Sequence, residues 1–166
     1  MKKKLFASAL SALLFASLLT ACKKTDSSSP NSPIGSTGTT KGALVLNGVS
    51  HNLTGGYWLG AYGTDIDDYV YTSLEATDFN YEVQFRFIRQ TAFPTGSFTY
   101  KADICATCGF NPKTNFRGGA VGTDVEITAG TVTVTDKGSG NYQYSANLTT
   151  TAGAATVNYT GPVTKR

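Results

Sequence analysis

Thr131-Val132-Thr133-Val134-Thr135, then Asp136-Lys137-Gly138-Ser139-Gly140-Asn141, then Tyr142-Gln143-Tyr144-Ser145-Ala146-Asn147-Leu148 reads as two strands joined by a turn. In the first run valines alternate with threonines. In the second, Tyr142, Tyr144, Ala146 and Leu148 alternate with Gln143, Ser145 and Asn147. Successive side chains of a strand point to opposite faces, so each run buries one face and wets the other. The residues between are glycine, serine, asparagine and charges, the composition of a hairpin turn.

The same alternation extends outward. Upstream, Tyr81, Val83, Phe85 and Phe87 share a face opposite Glu82, Gln84 and Arg86; downstream, Ala155, Val157 and Tyr159 follow a turn at Thr150 to Gly153. Further strands are expected at Ala43–Leu46, Val49–Trp58, Tyr69–Ala76 and Ser97–Lys101, with a weaker one near Phe116–Val121. Asn47-Gly48 between the first two is a strong hairpin signal. His51, beside Asn52, is expected on the polar face of its strand. No helical stripe of useful length occurs after residue 20, and Gly, Tyr and Phe (18, 9 and 9 residues) are prominent. These features predict an all-β fold, an antiparallel β-sandwich or a small closed β-barrel of about eight or nine short strands. Its span, residues 41–166, is long enough for one ordinary core without staples.

The N-terminus has a different grammar. Met1-Lys2-Lys3-Lys4 is basic, and Leu5 to Leu19 is an apolar run broken only by Ser8, Ser11 and Ser17. This length suits a signal peptide and falls short of the roughly 20 residues of a membrane span. It ends in Leu19-Thr20-Ala21-Cys22, which resembles the lipobox of bacterial lipoproteins. The resemblance implies that residues 1–21 are removed and that Cys22 receives a diacylglycerol, with a further acyl chain such as palmitate on the new amino group. Two or more chains hold a protein stably on a membrane where one does not. Residues 22–40 are then the lipidated cysteine and a tether. Lys23 to Thr40, rich in Ser, Thr, Gly and Pro, cannot bury enough apolar surface to order itself. As a flexible coil its span is roughly 20–25 Å. Lys23 in place of an acidic residue after the cysteine gives no sign of inner-membrane retention. The expected location is the cell envelope, lipid-anchored, at the outer membrane, with periplasmic and surface-facing placements both open.

A second resemblance lies at the other end. Ile127-Thr128-Ala129-Gly130-Thr131-Val132-Thr133-Val134, then Tyr142, then Val157-Asn158-Tyr159-Thr160-Gly161-Pro162 is similar to the ending of small lipoproteins common in Bacteroidota. It implies fold and export and supplies no activity.

The net charge of +3 includes Lys2, Lys3 and Lys4; without them, eleven basic residues balance eleven acidic ones. No clustered basic footprint remains, and a nucleic-acid partner is not expected.

Candidate sites are few. Cys105-Ala106-Thr107-Cys108 lies among loop residues and, in an oxidising compartment, is expected to form a local disulfide. A redox or metal role is the alternative, although zinc wants about four ligands and only His51 could join the pair. Asp65, Asp67 and Asp68 offer carboxylates to a hard cation such as calcium, but lack the glycine and distal glutamate of a known calcium loop; a solvated turn is the plainer reading. No other cofactor is expected. Tyr57, Trp58, Tyr62, Tyr69 and Tyr71 could present rings to a sugar or another apolar ligand, or simply build the core. No nucleophile, base and orienting residue stand out together, and no phosphate-binding loop appears. The expected function is that of a membrane-anchored envelope lipoprotein with a non-enzymatic β-domain that binds a ligand or partner, a glycan or an envelope protein. Two other classes stay open: a secreted glycan-acting hydrolase using carboxylates among Asp65, Asp67, Asp68 and Glu75, and a thiol or metal role at Cys105 and Cys108.

Overall fold

The alternation of apolar and polar side chains carries through into nine strands: β1 Gly42–Leu46, β2 Val49–Gly60, β3 Tyr69–Ala76, β4 Glu82–Ile88, β5 Gly96–Tyr100, β6 Asn115–Phe116, β7 Ile127–Gly138, β8 Asn141–Thr150 and β9 Gly153–Lys165. The computed structural model describes residues 39–60, 62–63, 68–78, 81–103, 108–122 and 124–166, all within one compact unit, Pro33–Arg166. The lipobox, most of the tether, Asp65, Asp67 and Cys105 lie outside the described residues.

The fold is all-β, as expected. The strands form one sheet in the order β1-β2-β3-β4-β6-β5-β7-β8-β9, and β9 pairs back with β1, so the sheet closes in a ring. Neighbours run antiparallel except at two short places, β5 with β6 and β2 with β9. The second arises because β1 is only five residues long. Lys41 still bridges Leu53 and Thr160, and past it β2 and β9 pair directly, Gly56 opposite Val163 and Trp58 opposite Lys165. The last strand therefore runs past the expected Tyr159, through Gly161-Pro162, to Lys165. Pro162, which has no N–H to give a ladder, falls at the final β8–β9 pair, where β9 is changing partners.

The β1–β2 hairpin turns at Asn47-Gly48, both with positive φ (50° and 81°), the backbone that a two-residue turn between twisted strands requires. The weak strand expected at Phe116–Val121 shrinks to β6. Gly118 and Gly119 adopt positive φ and break the ladder, and pairing resumes only as single bridges at Ala120 and Val121.

The inner face of the ring is filled by side chains. Phe85, Phe87, Phe98, Phe116, Tyr144 and Tyr159 are its largest members, with Leu44, Leu53, Leu74 and Val132 among them. Phe87 meets Phe98 edge-on at 4.6 Å between centroids, and Phe85 stacks on Tyr144 at 6.1 Å. Such contacts add to the area the rings remove from water.

His51 corrects an expectation. It pairs with Leu44, whose side chain is fully buried, and so shares the inward side rather than the polar face. The rim of the ring explains why a polar ring is tolerated there. His51 stacks on Tyr81 at 3.7 Å, and its Nδ1 lies 2.8 Å from the half-exposed Asp78 carboxylate.

Candidate functional site

Which aromatic side chains reach the outside depends on one irregularity in β2. Up to Leu53 the odd-numbered residues point inward, since Gly42, Leu44 and Leu46 pair with Leu53, His51 and Val49. The β2–β3 register then shifts between Leu53 and Gly55. After this bulge Gly56, Trp58 and Gly60 pair with Leu74, Thr72 and Val70, all buried, so the even-numbered residues point inward. A one-residue slip exchanges the two faces of a strand. Tyr57 and Leu59 are thereby turned outward and Trp58 inward.

The five aromatic residues singled out in the sequence thus fall into two groups. Tyr57, Tyr69 and Tyr71 share the outer face of β2 and β3. Trp58 and Tyr62 stack on each other at 5.8 Å at the rim, where Trp58 also meets Phe93 edge-on at 5.9 Å and Phe93 meets Tyr142 at 4.2 Å. The Lys165 ammonium stands 5.0 Å from the Trp58 ring centre. Trp58 packs against the core and belongs to the structure of the rim.

The outer face is arranged in rungs. Tyr57, Ser73 and Gln84 form one across β2, β3 and β4; Leu59, Tyr71 and Arg86 form the next. Tyr69 (45% exposed) and Leu59 (39%) leave large apolar surface in water. Two guanidinium groups lie over the rings: Arg166 at 3.9 Å from the Tyr57 centre and Arg86 at 6.0 Å from that of Tyr69. Arg166 is tied to Glu75, whose two carboxylate oxygens both accept from its Nη2, at 2.9 and 3.2 Å. Tyr57 and Tyr71 tilt toward each other at 6.5 Å.

Polar groups hold the rest of the face. Ser73 Oγ donates to Glu82 at 2.6 Å, and the Gln84 amide donates to the same carboxylate. Glu75 and Glu82 are direct cross-strand partners, a like-charged pair that these donors and Arg166 offset. The Tyr71 phenol is held well above the usual tyrosine range, first by burial and then by the nearby Glu82 charge. Burial and then Asp136 likewise raise Tyr142 at the rim. Tyr71 therefore stays a neutral hydrogen-bond donor at any ordinary pH.

Of the expected cation site only Asp68 is described. Its carboxylate lies against Gly63, and its carbonyl accepts from the Arg89 N–H at 3.0 Å. Among the described residues no three His, Cys, Asp or Glu side chains gather as a metal would need. Asp68 and Glu75 sit toward opposite ends of β3, roughly 20 Å apart along a strand, too far for two carboxyl groups to act on one glycosidic bond. Cys108 is in a disulfide.

Arg86 and Arg166 were not singled out in the sequence. Arg86 was legible as an outward residue of β4. Arg166 carried no signal, because only the β2–β9 pairing brings it to Tyr57 and Glu75.

No family model matches the chain, and no curated protein or solved structure matches it either.

Proposed function

We propose that this protein is a lipid-anchored component of the cell envelope, held at the outer membrane through Cys22, whose β-domain is a non-enzymatic module that binds a ligand or partner on the outer face of β2, β3 and β4. The observation that carries the binding reading is the outer-face row of Tyr57, Tyr69 and Tyr71, in which Tyr69 and the neighbouring Leu59 are exposed, with Arg86 and Arg166 beside it. Tyrosine joins a flat apolar face to a polar tip, and arginine adds planar donors; both are favoured where a ligand is gripped with little loss of side-chain freedom. The lipobox and the tether support the anchor reading. A β-domain on a flexible tether can sweep a shell of the envelope for a fixed ligand, a glycan or an envelope protein.

The test is a glycan array and an envelope-protein pull-down with the wild-type chain, Tyr69→Ala and Tyr57→Ala. Specific binding that both substitutions weaken supports the reading; binding indifferent to both overturns it. For the anchor, Cys22→Ser is expected to move the protein from the detergent phase to the aqueous phase in a temperature-induced detergent split.

A further inference from the structure

We propose that a cleft beside Gly118 and Gly119 binds a sugar ring, as the second half of an oligosaccharide site whose first half is the β2–β4 face; the inference rests on the reading of that face as a ligand surface and names its ligand class. The cleft holds about 450 Å³, within the range of roughly 300–1,000 Å³ usual for small-ligand sites. Gln84 and Arg86 of β4 form one wall. Tyr100, at the end of β5, and Glu126 are lining residues too, and the 118–120 backbone completes it. The cleft exists because the wall of the ring is irregular here: β6 stops at Phe116, and the chain passes Gly118 and Gly119 with φ of 62° and 143°. A Cβ on Gly119 would stand 2.3 Å from the Gln84 carbonyl oxygen, so this position must stay free of a side chain.

Three properties select the ligand. The first is charge. Asp124 and Glu126 line the cleft together with Arg86, so the lining carries no excess of positive charge. A phosphate, sulfate or other anion finds no surplus cation here. The second is the mixture of groups. Carboxylate oxygens accept, a guanidinium donates in pairs, and amide and phenol do both. Neighbouring hydroxyls on a sugar ring, each a donor and an acceptor, satisfy such a set, while Tyr100, Val125 and Ile127 offer apolar atoms to the ring's C–H face. The third is continuity. Arg86 lines the cleft and also stands over Tyr69 on the outer face. From Tyr57 through Ser73 to Gln84 is two strand spacings, about 10 Å. A chain of sugars, with one ring in the cleft and others over the tyrosines, spans both.

The test uses the full chain in a polyoxyethylene detergent, which carries no sugar, on an array of neutral, phosphorylated and sulfated oligosaccharides. Calorimetry follows with the best neutral tetrasaccharide. Gln84→Ala removes an amide from the cleft, Glu126→Gln replaces a charged acceptor with a neutral amide, and Ala120→Leu narrows the cleft; melting curves confirm that each variant folds. The expected result is binding to neutral chains that Gln84→Ala and Glu126→Gln weaken about tenfold or more, the loss expected for hydrogen bonds to a charged or amide group, with Tyr69→Ala weakening it as well. If Tyr57→Ala and Tyr69→Ala abolish binding while all folded cleft variants bind as wild type, the cleft inference fails and the face reading stands. If only the cleft variants lose binding, the face reading fails and the two-part site is overturned, leaving the cleft as a sugar site by itself. Binding confined to phosphorylated or sulfated chains, or no binding at all, overturns the inference.

Discussion

Two buried hydroxyls stand out among the single residues. Thr72 Oγ1 and the Tyr144 hydroxyl lie deep inside the ring, close enough for Thr72 to favour the tyrosinate, yet neither makes a hydrogen bond of ordinary geometry. A buried polar group without a good partner is costly, whereas replacing both with apolar groups of like shape is neutral or better. The double variant Thr72→Val/Tyr144→Phe is therefore expected to melt at or above the wild-type temperature, by up to about 1 kcal/mol of added stability. A fall of more than that would mean that the two hydroxyls are paired in solution. Tyrosine also sets the response to alkali. Burial, then the Glu75 charge, pushes the Tyr159 phenol up to about 12, and burial raises Tyr144 further. An unfolded tyrosine titrates near about 10, so above that pH the unfolded chain releases protons that the folded one keeps. Stability is full below pH about 10 and falls as pH rises toward the folded values, by up to about 1.4 kcal/mol per pH unit for each such tyrosine. Chemical denaturation between pH 8 and pH 11.5 checks this. Tyr159→Phe should flatten the slope while losing about 1 kcal/mol at neutral pH, since the hydroxyl donates to the Pro162 carbonyl at 2.6 Å.

At the scale of the element, β2 carries the decision on which the site turns. Alternation puts Tyr69 and Tyr71 on one side of β3, which has no irregularity, but leaves open whether that side is the core or the surface. The same rule applied from Leu53 would have sent Tyr57 inward and Trp58 outward, and the bulge reverses it. Gly55-Gly56 in a strand hints at a bulge, but not at the residue where the phase slips. Trp58→Ala, the natural choice for a binding control, would instead cut into the rim. It is expected to cost about 2 kcal/mol or more in urea melts, since a partly buried indole loses its contacts with Phe93 and the core. Tyr57→Ala on the outer face is expected to cost under about 1 kcal/mol. Equal losses for the two would mean that the faces of β2 are not divided as described. The 115–122 segment shows the other limit of pattern reading. Its apolar residues were visible, but a strand broken by two glycines has no period to read, and the cleft it creates was not anticipated.

At the scale of the molecule, closure is shared between β1 and the short direct pairing of β2 with β9. The short β1 hydrogen-bonds to β2 on one side and β9 on the other, and Leu44 is buried at its centre. Leu44→Ala is expected to cost about 2–5 kcal/mol. Deleting residues 39–46 should leave only the short β2–β9 pairing to hold the ring, expose the remaining edges of β2 and β9, and shift the protein to larger species on size exclusion, because open edges pair with other chains. A deletion variant that stays monomeric and melts cooperatively would show that β1 is dispensable. The β class, most strand positions and the inward phenylalanines were readable as local periodicity, since each depends only on near neighbours in the chain. Ring closure, the phase of β2, the meeting of Arg166 with Tyr57 and Glu75, and the cleft behind Arg86 were decided by the tertiary structure. Each joins residues far apart in sequence through strand pairings and registers, and alternation alone leaves a register free until the whole sheet has closed.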